Sequence, residues 1–262
     1  MPAADLPLLI DAARAAGRIA TSFTGPDAQR WDKPGGAGPV TEADLAVNDM
    51  LTDMLRTARP GYGWLSEESE DTATRLGRDT VFIIDPIDGT RSFVEGSKTW
   101  AHSIAVAEGG QITAAAVYLP MLDKLYTAGL GQGAALNGAP LAVSDTERMQ
   151  DCSVLVTKPA LQPHHWRDGT PPALKRGHRP SLAYRLALVG EGRFDGMLTL
   201  RDSWEWDIAA GALIVSEAGG TITDRTGLPL RFNNPHPTLN GVIAATPVVH
   251  AGLHAALQPP SP

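Results

Sequence analysis

A chain of 262 residues, 43% hydrophobic and 19% charged, can bury a large core and lies far from the charge-rich, apolar-poor composition of disordered chains. Its net charge of −7 argues against general nucleic-acid binding through clustered Lys and Arg, and a protein this acidic needs a cation to act on an anion such as phosphate. No apolar run approaches the ~20 residues that span a bilayer, Arg14 follows Asp5 and Asp11, and Cys152 is the single cysteine, which together predict no membrane anchor, no signal peptide, no internal disulfide and a cytoplasmic location.

Asp5 can cap a first helix with Leu9, Ala13, Ala16, Ala20 and Phe23 on one face, ending near Gly25-Pro26. Lys33 to Pro39, rich in Gly and Pro, reads as a mobile loop before a second helix marked by Val47, Met50, Leu51 and Met54 and closed by Pro60-Gly61. Val81 to Ile84 is a continuous apolar run, the pattern of a strand buried on both faces, and it leads straight into Asp85. Ile104 to Ala107 and Ile112 to Tyr118 flank Gly109-Gly110 as a hairpin, and Asn137-Gly138 marks a second turn. The Gly129-x-Gly131-x-Gly133 run lacks the dinucleotide spacing and fits a hairpin loop. Beyond about residue 150 strands and helices alternate: Ser153 to Val156, Leu182 to Val189, Gly196 to Leu200, then Ile208 to Val215, stopped by Gly219-Gly220. His164-His165 follows Pro163 in a surface loop without a nearby acid or Cys to complete a metal set, Cys152 fits a core position, and Pro259 to Pro262 reads as a frayed tail.

The strongest chemical signal is Asp85-Pro86-Ile87-Asp88-Gly89-Thr90, with two carboxylates three residues apart just past a buried strand. Asp, Pro and Gly also make ordinary turns, and for Asp88-Gly89 alone that is the better reading. Glu67 after Trp64-Leu65 and Asp207 after Trp206 change the balance, because acids beside apolar residues that converge on one point repel each other unless hard cations neutralise them.

Gly63-Trp64-Leu65-Ser66-Glu67-Glu68-Ser69, Asp85 to Thr90, and Trp206-Asp207-Ile208-Ala209-Ala210-Gly211 closely resemble, in order, the three signature segments of the inositol-monophosphatase superfamily. The resemblance implies a layered α-β-α-β-α sandwich, with an N-terminal α+β half over residues 1–150 and a C-terminal α/β half over 151–262 and the site between them. It implies that Glu67, Asp85 and the Ile87 carbonyl hold one Mg²⁺, that Asp85, Asp88 and Asp207 hold a second, and that a weaker third ion sits near Glu67. Phosphate would lie at Gly89 and Thr90, and in-line hydrolysis would use a water oriented by Thr90 and Glu67. Li⁺ inhibition is part of the same implication. Pro39 to Asp44 resembles the segment whose final Asp orients the water-activating group, although Thr41-Glu42-Ala43-Asp44 also reads as a capping-box variant. Lys33 matches a lysine that approaches the metal-bound phosphate, where a plain solvated lysine is the alternative.

A haloacid-dehalogenase-type covalent mechanism needs an Asp two positions before Asp88, and Pro86 stands there. Within the superfamily, Arg91-Ser92-Phe93 after Thr90, no acid in Met197-Leu198-Thr199-Leu200, and Ser181-Leu182-Ala183-Tyr184-Arg185 most resemble the CysQ-type 3′(2′),5′-bisphosphate nucleotidases. Arg185 would then meet a second phosphate, whereas its plain reading is a solvated helix arginine. Pro180 and Ala183 depart from those enzymes' usual Gly and Ser. Inositol 1-phosphate, histidinol phosphate, and a regulatory or RNA-associated binding role are the alternatives. The expected partner is a small phosphorylated metabolite, and relatives that are dimers or monomers leave a homodimer open.

Overall fold

The computed structural model describes residues 5–259 apart from 24, 34, 36, 37 and 151, so parts of the expected Lys33–Pro39 loop and of the expected frayed tail lie outside the described residues. The first helix, α1 (Asp5–Ala20), turns Leu9, Ala13, Ala16 and Ala20 into the core at the predicted spacing. It stops at Ala20, earlier than Gly25-Pro26, and Asp5 is its first helical residue; the carboxylate accepts from Arg59 Nε at 2.8 Å and Tyr62 Oη at 3.0 Å. An antiparallel pair, β1 (Arg30–Asp32) and β2 (Pro39–Thr41), leads into α2 (Glu42–Ala58).

The main sheet runs β3 (Gly63–Ser66), β4 (Thr80–Asp88), β5 (Ala101–Glu108), β6 (Gln111–Leu119), β7 (Lys124–Gly129), β8 (Gly133–Leu136) and β9 (Ala139–Pro140), in that spatial order, with the short helix α3 (Thr90–Val94) between β4 and β5. Within this sheet only β3 and β4 pair in parallel. Both glycine-rich turns fall where the alternation of apolar runs predicts them, at Gly109-Gly110 and Asn137-Gly138. The second sheet has the order β11-β10-β12-β16-β14, from β10 (Ser153–Val156), β11 (Lys175–Gly177), β12 (Gly196–Thr199), β14 (Thr221–Thr223) and β16 (Val242–Ala245). A small pair joins β13 (Ser203–Trp204) to β15 (Thr238–Leu239).

The alternation of side chains along β4 sets the layers. Phe82 and Ile84 pack with Leu9, Val47 and Leu51 of α1 and α2, while Val81 and Ile83 face α4 (Leu182–Gly190) and α5 (Glu205–Glu217). Across those two helices lie Leu155, Met197, Val242 and Ala244 of the second sheet. Its far-side residues Val154, Val156, Leu198 and Ile243 pack on Val249 and Leu253 of α6 (Pro247–Ala256). Helices, sheet, helices, sheet and helix therefore form the expected α-β-α-β-α sandwich. Central helices buried on both sides must be apolar all round, as α5 is from Ile208 to Val215. They also approach closely: a Cβ at Gly211 would lie 2.5 Å from Leu186 Cβ. Cys152 is buried in the α6-side core, and no described helix is long and apolar enough to cross a membrane.

Candidate active site

The β4 strand does not stop at Ile84. It continues to Asp88, but its register against β5 slips between Asp85, opposite Ser103, and Asp88, opposite Ala101. Pro86 fits this bulge because it has no N–H to withhold from the ladder. The Pro86 carbonyl accepts from His102 Nδ1, and burial lowers the His102 pKa to about 4, so the ring holds the bulge as a neutral donor. Gly89 then turns the chain with φ +100°, a region that side chains avoid, and starts α3 at Thr90.

Asp207 arrives from the other side of the molecule, on the first turn of α5. That turn is fixed from below by Glu205, whose carboxylate accepts from Asn233 N at 2.6 Å, Asn234 N at 2.9 Å and Asn234 Nδ2 at 2.7 Å. Ser103 Oγ donates to the Trp206 carbonyl at 2.8 Å and ties α5 to β5.

As a result one carboxylate oxygen from each of Asp85, Asp88 and Asp207 lies within 4.8 Å of the others. Burial, then Glu67, Asp88 and Asp207, raises the Asp85 pKa well above the ordinary carboxylate value. Asp207 is raised likewise by burial and then by Asp88 and Glu67. Asp88 is pushed to about 6, burial outweighing bonds to its Oδ2 from Ser181 Oγ at 2.6 Å and Ala183 N at 2.7 Å. Asp85 Oδ1 is buried with no hydrogen-bond partner. Uncompensated negative charge, an orphaned oxygen and an oxygen-only donor set fit a hard divalent cation.

Glu67, at the end of β3, sits beside Asp85 and lines the same cleft. Its carboxylate and that of Glu68 each receive Lys33 Nζ at 2.7 Å, so Lys33 is engaged with acids rather than solvated. Burial and the neighbouring Glu67 push Glu68 to about 7 despite that lysine. Asp44 carries out its capping-box role, with the Thr41 N and Oγ1 donating to its Oδ2. Its other oxygen, Oδ1, lies 3.2 Å from Thr90 Oγ1, which is also 3.2 Å from the Ile87 carbonyl. Burial raises Asp44 to about 6. Capping and contact with the site residue Thr90 therefore coexist.

Glu67, Asp85, Asp88, Gly89, Thr90, Arg185 and Asp207 share one cleft of about 450 Å³. Arg185 is 5% exposed, which overturns its plain reading as a solvated arginine; Nε donates to the Arg179 carbonyl and Nη2 lies 3.1 Å from His178 Nε2. His178, Arg201 and Trp204 also line the cleft, beyond the residues that the sequence motifs point to. For Arg201 and Trp204 the available signal was their nearness to Trp206-Asp207; His178 had none. His164-His165 borders a separate cavity with Leu200 and Arg225.

The profile described as the inositol monophosphatase family matches residues 4–260. The chain belongs to that family. The family is one of metal-dependent phosphatases acting on small phosphorylated substrates. An inositol-1-monophosphatase of Mesorhizobium japonicum is 33% identical over 97% of this chain and 96% of its own length. The Nus factor SuhB of Escherichia coli K12 is 35% identical over 85% of each chain. Among solved structures, the extragenic suppressor protein suhB of Bartonella henselae matches with a TM-score of 0.82 and 32% identity, over 96% of this chain and 97% of the other.

Proposed function

We propose that this member of the family is a Mg²⁺-dependent 3′(2′),5′-bisphosphate nucleotidase that converts adenosine 3′,5′-bisphosphate to AMP and phosphate. The observation that carries the reading is the carboxylate cluster of buried Asp85 and Asp88 with half-buried Asp207, including the partnerless Asp85 oxygen, in one cleft with the buried Arg185. In this reading Glu67, Asp85 and the Ile87 carbonyl hold one Mg²⁺, Asp85, Asp88 and Asp207 hold a second, and a weaker third lies by Glu67. Mg²⁺ bound there would acidify a water and neutralise charge on the leaving oxygen.

The chain's own groups do the rest. Asp44 Oδ1 takes the Thr90 hydroxyl proton in a hydrogen bond, which leaves the Thr90 oxygen free to accept from the attacking water, and Glu67 orients that water from its other side. The Gly89-Thr90 backbone faces the phosphate where the positive-φ turn keeps side chains away. Lys33 becomes available to a phosphate oxygen once Glu67 and Glu68 have other partners. Arg185, permanently charged, meets the second phosphate. Residues 1–150 thus supply most of the metal ligands, and 151–262 supply Asp207 and the substrate contacts. A cytoplasmic location goes with a nucleotide substrate.

Inositol 1-phosphate is the second reading, favoured by the name of the Mesorhizobium relative. Against it stands the absence of an acid in Met197–Leu200, followed by the cation Arg201 at the cleft, because a site that recognises a polyol needs acceptors for its hydroxyls. The deciding experiment compares kcat/KM for adenosine 3′,5′-bisphosphate, inositol 1-phosphate and histidinol phosphate at one Mg²⁺ concentration. Preference for the bisphosphate, with an Arg185→Ala loss concentrated on it, supports the proposal. Preference for inositol phosphate overturns it, and failure on every phosphomonoester would favour a binding role of the kind named for the Escherichia coli relative.

A further inference from the structure

Beyond the carboxylates, the cleft lining changes character: it includes two indoles, Trp204 and Trp206. Their rings stack with centroids 4.7 Å apart and planes 8° from parallel. Trp206 is 8% exposed, as expected of a residue leading into the central helix, but Trp204 keeps 41% of its surface exposed. Scattered exposed aromatics are ordinary, and Trp31, 47% exposed and not among the residues that line this cleft, is one. Trp204 differs because it is both exposed and held. Its backbone pairs with Thr238 across β13 and β15, its ring lies on Trp206, and the His236 ring meets it at 5.6 Å and 63°.

An indole fixed in this way has lost its rotamer freedom before any ligand arrives, so ring stacking on it costs little further ordering. Only three peptide units separate Trp204 from Asp207, which limits their Cα atoms to roughly 11 Å apart. A cleft of about 450 Å³ falls within the ordinary range for a small organic ligand. We infer that Trp204, backed by Trp206, is a stacking platform for a planar aromatic ring carried by the substrate. The cations Arg185 and Arg201 near Asp207 suit a substrate that carries further negative charge besides the reacting phosphate. A nucleotide has both features, whereas an inositol phosphate carries only a saturated ring with no aromatic face to stack. The inference deepens the nucleotide reading but requires only that the cleft hydrolyse phosphomonoesters.

The test uses the full chain with Mg²⁺ and two simple substrates, 1-naphthyl phosphate and glycerol 2-phosphate, beside adenosine 3′,5′-bisphosphate and its base-free anhydroribitol analogue. Trp204→Leu should lower the ratio of kcat/KM between aromatic and non-aromatic substrates by about tenfold to a hundredfold, mostly through KM, and Trp204→Phe should restore much of it. Trp204 is the position to change because Trp206 adjoins Asp207. An unchanged ratio, or an equal loss on all four substrates, overturns the platform. Independently of how the variants fold, AMP at concentrations that inhibit wild-type turnover should quench tryptophan emission, and inhibition by AMP without quenching also overturns it. If the wild type rejects the bisphosphate yet prefers naphthyl phosphate in a Trp204-dependent way, the nucleotide reading fails and the platform stands.

Discussion

Glu205 and Asp207 lie two residues apart on one helix, both turned into the protein, and their surroundings are opposite. Glu205 is saturated, its two oxygens receiving three N–H donors from Asn233 and Asn234. Asp207 instead meets Asp85 and Asp88, and burial with repulsion from Asp88 and Glu67 raises its pKa well above the ordinary value. A buried acid satisfied by N–H groups serves the fold, whereas acids facing one another with an orphaned oxygen destabilise the fold until a cation joins them. The difference teaches that burial of a carboxylate is not by itself a functional sign; the identity of its neighbours decides.

The comparison can be broken first at Asp88. Asp88→Asn removes a charge with little change in volume, and steady-state kinetics should register a loss of about a thousandfold or more in kcat with a cooperative melt retained. Near-normal turnover at saturating Mg²⁺ would show that the ligand set is wrong. The reverse is expected at Glu205. Glu205→Ala removes the shared acceptor of three half-buried N–H donors, of which only the Asn234 side-chain amide keeps another partner in the Arg231 carbonyl, and should cost about 3 kcal/mol of unfolding free energy by denaturant titration, with the protein that remains folded still binding Mg²⁺.

Mg²⁺ itself sharpens the contrast. At about a hundred times its Kd it should stabilise the wild type by about 2.7 kcal/mol in thermal or denaturant unfolding, and Asp88→Asn should lose most of that gain. Excess chelator should abolish turnover and Li⁺ should inhibit it, while Ca²⁺, with its larger and looser shell, should support little.

The smallest effect belongs to Asp195, a second saturated acid. Burial works to raise its pKa, but bonds from Ser144, Thr146 and Ser153 outweigh burial and hold it below its ordinary value. A depressed folded pKa contributes stability above the unfolded value of about 4, and this is lost as pH falls through the lower folded value. Asp195→Asn should therefore be less stable at neutral pH and show a shallower fall in stability between about pH 4 and pH 2, measured by urea midpoints.

Why some of this was legible in the sequence is physical. Asp85 to Thr90 follows an apolar run and combines Pro, Gly and paired acids in one short segment, so local pattern and chemistry agree. Asp44 announced its cap through Thr41, and Thr90 added the contact that spacing could not. Glu205 depends on partners far along the chain, Asn233-Asn234, and Arg201, His178 and Trp204 line a cleft whose opposite wall comes from Glu67 and Asp85 to Thr90; no local periodicity encodes those meetings. The stretch from Val242 to Leu253 went unread although an apolar run followed by Thr246-Pro247 is a recognisable strand and helix start, and the Thr246 side chain does cap α6.

The claim that the cleft carboxylates are arranged for a cation rather than for the fold is tested most directly at Asp85, whose Oδ1 has no protein partner. The measurement is the thermal midpoint of wild type and Asp85→Asn, each with excess chelator and with saturating Mg²⁺, at pH 8. Without metal the variant should melt a few degrees higher, about 2–4 °C for each kcal/mol of repulsion relieved, and with Mg²⁺ the order should reverse. A variant that melts lower than wild type under both conditions would contradict the account.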